Sequence, residues 1–263
     1  MSAILKDCRE EWFDGEAKVS VTFVDVTSAV QELVRGHLAG PTSAHYLARA
    51  IAAVALLGKE TSAADETVSL QVKCSGPLGG INVECTAMGT LRGYTEKKVL
   101  DEFDGMGKPD DRKVIGERQI QVTRSIPGKI LSQGISSSLD GYLAGSLQRK
   151  ACIKVEAVVN DECEVLEARG VMVEDMPDAK ELHCCRVGEL KGISASPRNL
   201  LKRLGLDNAE LRSTSSLKFA CRCSADRATA MLDALSDDER RTLPPTIDIT
   251  CHMCGRTFTV KTK

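Results

Sequence analysis

The chain has 263 residues, of which 42% are hydrophobic and only 3% aromatic, and its 35 basic and 37 acidic side chains leave a net charge of −2. So even a balance supplies no electrostatic drive toward nucleic acid or an anionic membrane, and so few aromatics leave the core to Val, Ile, Leu and Ala. The length fits one large domain plus a small one; with no apolar run of signal-peptide length over Met1–Cys8 and none near the roughly 18 residues of a membrane helix, a soluble, cytoplasmic protein is expected.

Ala17, Val19, Val21 and Phe23 alternate as one face of a strand. From Thr27 to Val34 the period lengthens to that of a short amphipathic helix, ended near Gly36 to Pro41. Thr42 is expected to cap the next helix, a core helix with Leu47, Ile51, Val54 and Leu57 along an Ala-rich face. Val68 to Cys74, Ile81 to Cys85 and Leu91 to Tyr94, punctuated by Gly76–Gly80 and Met88–Gly89, read as an antiparallel meander. Gly76–Gly80 precedes a strand rather than a helix, which excludes a phosphate loop. Residues 101 to 114 read as a surface loop, Ile120 and Val122 as a strand, and Ser138 to Gln148 as a helix. Cys152 to Val159 and Cys163 to Val173 form a hairpin about Asn160–Asp161. Strands follow strands without helical crossovers, so the class is α+β: a mixed sheet-and-helix core domain over 1–189, then a Ser-rich, weakly folded linker over 190–218 with one helical patch at Asn199 to Leu206, then a small module over 219–263.

Eleven cysteines in a chain read as cytoplasmic favour metal binding or thiol chemistry over a disulfide scaffold. The C-terminus concentrates them: Cys221-Arg-Cys223 and Cys251-His-Met-Cys254 are separated by 27 residues. In an extended segment residues i and i+2 project to one side, and Gly255 permits the tight reversal of a knuckle after Cys254. Four sulfurs in two close pairs suit tetrahedral zinc, one ion per chain. Between the pairs, Ser224 can cap a helix bearing Ala228, Met231, Leu232 and Leu235, and Ser236 to Glu239 has the capping-box pattern. Ile247 and Ile249 alternate into the knuckle, and Phe258 and Val260 alternate out of it. About 45 residues bury little core alone, so such a module folds with its metal. Thiolates are also what oxidants attack, and each short pair can close on itself, so the site is chemically suited to couple redox state to folding.

Phe219 to Ala228 and Ile247 to Phe258 resemble the two cysteine segments of the redox-regulated heat-shock chaperone family Hsp33; Val68 to Gly80, Leu91 to Tyr94 and Ala50 to Leu57 are similar to that family's core domain. The resemblance implies a chaperone without enzymatic activity. By the same resemblance, the reduced form is expected to hold Zn2+ on Cys221, Cys223, Cys251 and Cys254. Oxidation would form the disulfides Cys221–Cys223 and Cys251–Cys254, release the ion and unfold the linker. Exposed apolar surface then holds unfolding client proteins, in an active homodimer, with no nucleic acid or membrane partner.

A zinc-ribbon-type nucleic-acid or protein adaptor is the alternative, but the basic residues of 217–263 are interleaved with acids such as Asp226, Asp233 and Asp237. A thiol oxidoreductase using Cys184 or Cys254 would need a redox βαβ pattern that the sequence lacks. His183-Cys184-Cys185 is read as strand, one thiol in and one out. Cys74, Cys85, Cys152 and Cys163 are read as small core residues and Cys8 as a surface residue. His37 and His45 are read as a helix end and a helix face, and His252 as a non-ligand.

Overall fold

The structure, a computed structural model, describes residues 7–262; the expectation drawn from the first residues of the chain lies outside the described residues. Two strands, β1 (Cys8–Asp14) and β2 (Val19–Asp25), lead into helices α1 (Thr27–His37) and α2 (Pro41–Leu57). The expected meander follows as β3 (Thr67–Cys74), β4 (Gly80–Thr86) and β5 (Thr90–Thr95). Next come the short α3 (Asp111–Val114), the hairpin β6 (Arg118–Ile126) and β7 (Lys129–Ser136), α4 (Leu139–Gly145), and the hairpin β8 (Lys150–Val159) and β9 (Val165–Asp175). The chain then forms α5 (Pro197–Leu204), β10 (Glu210–Ser216) and β11 (Lys218–Phe219). It ends in α6 (Ala225–Asp233), α7 (Asp237–Thr242), β12 (Thr246–Thr250) and β13 (Thr257–Lys261).

Two sheets, ordered β10-β1-β2-β9-β8 and β11-β5-β4-β3-β6-β7, enclose α2. That helix is buried almost all round, more than the one-faced pattern its Leu and Val spacing suggests, because its alanines let strands approach from both sides. The approach is close: a Cβ on Gly170 of β9 would stand 2.8 Å from Leu56 Cδ1. Thr42 does not cap α2. The cap is Gly40, with Pro41 at the first helical position where its missing N–H costs nothing, and the Thr42 N–H donates to Asp104 at 2.9 Å.

The segment 190–218 carries more regular secondary structure than its Ser-rich texture suggests. The helical patch exists as α5, but Glu210–Ser216 forms an edge strand paired antiparallel with β1, its side chains mostly exposed. Such a strand is held by backbone hydrogen bonds and leaves no apolar alternation to read. Leu190, Ile193, Leu200, Leu201, Leu204 and Leu206 pack on Trp12, Val19, Val21, Phe23, Val171 and Val173, covering the sheet face opposite α2. The face that alternation marks in β2 is therefore the one beneath this segment, while Val24 points to the main core.

Glu66 ties the end of the main core down. Its fully buried side chain accepts from Arg124 Nε at 2.6 Å and from the Ser62 and Ala63 N–H groups at 2.9 and 3.3 Å. Burial alone would raise this carboxyl, but these donors outweigh it and hold the group at about 2 instead of 4.5. A folded-state value below the unfolded one stabilises the fold above pH 4.5, and that stabilisation is lost as pH falls toward about 2. The loss should be about 2 kcal/mol, since Arg124 is partly screened by solvent. Acid unfolding of Glu66→Gln followed by circular dichroism should lack this dependence; a variant curve with the wild-type slope would show that other carboxylates cause it.

Candidate metal centre

The site begins at the edge of the six-stranded sheet. β11 runs parallel to β5, pairing Lys218 with Thr90 and Phe219 with Leu91, and the Ala220 N–H donates to Leu91 O at 3.2 Å. This register carries the next residues, Cys221 and Cys223, past Arg92 and Gly93. Ser224 then caps α6 by accepting from the Arg227 N–H, and Ser236 with Glu239 forms the capping box of α7. β12 and β13 pair as a hairpin whose connection is the knuckle. There Cys251 N–H donates to Arg256 O and Gly255 N–H to Cys251 O, both at 2.9 Å, with Gly255 at φ +73°.

The four sequence-predicted sulfurs converge. Cys221 and Cys251 Sγ are 3.7 Å apart, Cys223 and Cys254 Sγ are 3.4 Å apart, and all four lie within 4.8 Å of one another. Tetrahedral coordination with metal–sulfur bonds of about 2.3 Å requires sulfurs about 3.8 Å apart, so a four-coordinate thiophilic ion fits. Among the described residues this is the one His, Cys, Asp or Glu group close enough to hold a metal. Among the described residues the module's buried apolar cluster is Ala228, Leu232 and Val260, with Leu235, Leu243, Ile247, Ile249 and Phe258 partly buried against it, a small core for a unit of this size.

The thiols share charge unevenly. Burial would raise Cys221, but the Cys223 N–H, the Arg92 guanidinium and neighbouring thiols donate to it and bring it down to about 7. Burial pushes Cys254 and Cys223 up, and in Cys223 the negative charge of Cys221 adds to the rise. Proton loss is thus favoured at Cys221 over Cys223 and Cys254, and a divalent cation would favour ionisation of every sulfur that it binds.

The knuckle meets β5 and the end of α1 through backbone, with Cys254 buried in the main hydrophobic cluster. The Gly93 N–H donates to Met253 O at 3.1 Å, and His37 Nε2 lies 2.9 Å from Gly93 O. Gly36 and Gly255 meet so closely that a Cβ on Gly255 would stand 2.0 Å from Gly36 O. His37 is the end of α1 and His45 lies on α2, both buried; burial lowers both, His45 to about 4. His252 packs edge-on against Tyr94 at 5.9 Å and is not in the sulfur cluster. Arg92, Gly93 and Gly36 escaped sequence reading, and only the Gly93 break in an alternating strand could have marked them.

Cys184 and Cys185 lie in a 3-10 turn, not a strand. One thiol is buried and the other exposed, but because the turn leans on β8 and β9. The His183 and Cys184 N–H groups donate to the Asp175 carboxylate, and burial pushes the Cys184 thiol up, which suits an inert thiol better than a nucleophile. Cys85 is buried; Cys8, Cys74, Cys152 and Cys163 are half-buried, with Cys8 in β1 rather than on open surface and Cys163 in the β8–β9 turn at φ +62°. No helix among the described residues is long and apolar enough to cross a membrane.

Comparison with known proteins gives one answer. The family model described as Hsp33 protein matches residues 12–261. The "33 kDa chaperonin" of Thermus thermophilus is 28% identical over 276 aligned positions, covering 93% of this chain and 81% of that protein. The one from Geobacillus kaustophilus is 28% identical over 258, covering 88% and 87%. The crystal structure of the 33 kDa chaperonin, a heat shock protein 33 homologue from Thermotoga maritima, superposes with a TM-score of 0.86 at 20% identity, covering 98% of this chain and 96% of that one, a likeness of fold.

Proposed function

Because this chain belongs to the Hsp33 family of chaperones, we propose that it is a redox-regulated holdase whose reduced form holds one zinc ion on Cys221, Cys223, Cys251 and Cys254. The observation that carries the reading is continuity: the segment covering the apolar face of Val19, Val21, Phe23, Val171 and Val173 leads through β10 and β11 directly into Cys221. A zinc ion on the four sulfurs would crosslink the Cys221–Cys223 segment, which follows β11, to the knuckle, and so anchor the covering segment at its C-terminal end.

Peroxide is the simplest oxidant of the class this chemistry needs. A thiolate sulfur attacks one peroxide oxygen, the O–O bond breaks, and the departing hydroxide takes a proton to leave as water. The resulting sulfenic acid is attacked by a second thiolate; the S–S bond forms and the hydroxyl leaves as a second water. Two sulfurs are oxidised by one electron each and the two peroxide oxygens are reduced. In the assembled centre the short contacts cross between pairs, Cys221 to Cys251 and Cys223 to Cys254. Once one sulfur is oxidised the module loosens, and the short loops favour Cys221–Cys223 and Cys251–Cys254. With its ligands consumed the module cannot hold 190–218 in place, and the uncovered sheet face binds unfolding proteins. We place this activity in the cytoplasm, with a homodimer as the client-binding form.

Treating the reduced, zinc-loaded full chain with peroxide at mildly raised temperature should release about one zinc per chain to a chromogenic chelator. Light scattering of a heat-denatured client should fall in step, and peptide mapping should find the two short disulfides. The only tryptophan, Trp12, stacks under Arg198 of α5 at 4.6 Å, so its emission should move to the red as the segment leaves. Zinc release with neither a Trp12 shift nor suppression of scattering would refute the coupling.

A further inference from the structure

We infer that Arg92, on the core domain, is a positioning residue of the cysteine centre that holds down the rate at which Cys221 is oxidised; the inference rests on the metal-binding reading above. Three observations place it there. Its Nη1 donates to Cys221 Sγ at 3.9 Å. Its Nε donates to Glu84 Oε2 at 2.8 Å and its Nη2 is 2.6 Å from the same oxygen, so the guanidinium is oriented by the neighbouring strand. The parallel register of β11 on β5 then delivers Cys221 to it. The geometry is that of a prealigned donor waiting for a sulfur.

Four thiolates around a divalent cation carry an excess of two negative charges. An N–H donor from a cation draws electron density from the sulfur it touches, offsets part of that excess charge, and weakens the sulfur as a nucleophile toward peroxide. Because Arg92 belongs to the core domain, this protection lasts only while the module is docked. A module displaced from β5 loses the donor and becomes easier to oxidise, so undocking and oxidation reinforce each other. Arg92→Met keeps the aliphatic stem, and the backbone contacts of Gly93 with Met253 and of Gly36 with Gly255 remain to dock the knuckle.

The test uses the reduced full chain loaded with cobalt(II), whose sulfur-to-metal charge-transfer absorption reports electron density on the ligands, and in parallel the zinc form challenged with peroxide. In Arg92→Met the charge-transfer band should shift before any oxidant is added, and metal should be released about fivefold faster, the worth of one such hydrogen bond. Arg92→Lys should recover most of the rate, and Glu84→Gln, which frees the guanidinium, should fall between. An unshifted band with an unchanged rate in Arg92→Met overturns the inference while leaving the metal-binding reading intact. If Arg92→Met does not fold, wild-type behaviour of Glu84→Gln overturns it. A faster rate with an unshifted band and no rescue by lysine assigns Arg92 to docking alone and overturns it too. A wild-type chain that takes up no cobalt ends both readings.

Discussion

Replacing Cys221 and Cys223 together by serine will reduce the metal content of the purified chain from about one ion to nearly none and unfold the C-terminal module while the core domain stays folded. The size of the effect follows from how little else holds the module. Its buried apolar set is Ala228, Leu232 and Val260, and its two helices are short. Metal bound to four sulfurs in a unit of this size contributes on the order of 10–16 kcal/mol, and two serine hydroxyls, which stay protonated at neutral pH, replace almost none of it. Elemental analysis gives the stoichiometry. Hydrogen exchange should show rapid labelling over 219–262 beside protected amides in α2, β3 and β4. Because the segment 190–218 loses its C-terminal anchor, the variant should also suppress client aggregation without oxidant. A stoichiometry that stays near one would mean that other residues hold the ion, and a module that remains protected without metal would remove the physical basis of the switch.

Truncating Leu201 and Leu204 to alanine in one chain will open the segment from its other end. Both side chains are buried, with 1% and 0% exposure, against the outer face of the five-stranded sheet. Each deletion costs about 2–5 kcal/mol when the site cannot collapse, and the two together exceed what a short segment of one helix and one edge strand gains by docking. The expected protein keeps its full metal content, because Cys221 to Cys254 are untouched, yet shows the red-shifted Trp12 emission of the open form and suppresses client aggregation while reduced. That separation of metal content from activity distinguishes this variant from the cysteine double mutant. Wild-type emission and wild-type inactivity in the reduced state would show that the segment is not the cover of the client-binding face.

The two variants also trace how much of the protein was legible in its sequence. The sulfur quartet was, because the features that define it are local: cysteines two and three residues apart, a glycine at the reversal, and the caps Ser224 and Ser236 with Glu239, each satisfied within a single turn of chain. The strands β3 and β4 were legible for a related reason, since their alternation records burial on one face, and β8 and β9 were legible as a hairpin about Asn160–Asp161. β1 and β7 were not. Charged residues interrupt the first, and the second is a mostly exposed edge strand, so neither carries a periodic signal.

Alternation in Val19, Val21 and Phe23 established that one face of β2 is apolar, but not which part of the chain lies on it; that was settled by Leu200, Leu201, Leu204 and Leu206 arriving from far along the chain. Residue type and spacing alone thus marked out the two cysteine pairs and the caps between them, because each of these features depends on residues a few positions apart. Tertiary structure alone decided that Arg92 reaches Cys221, that Gly36 meets Gly255, and that the Ser-rich stretch is an edge strand beside β1. Those contacts join residues remote in sequence, and their strength lies in the closeness of two surfaces that no single segment encodes.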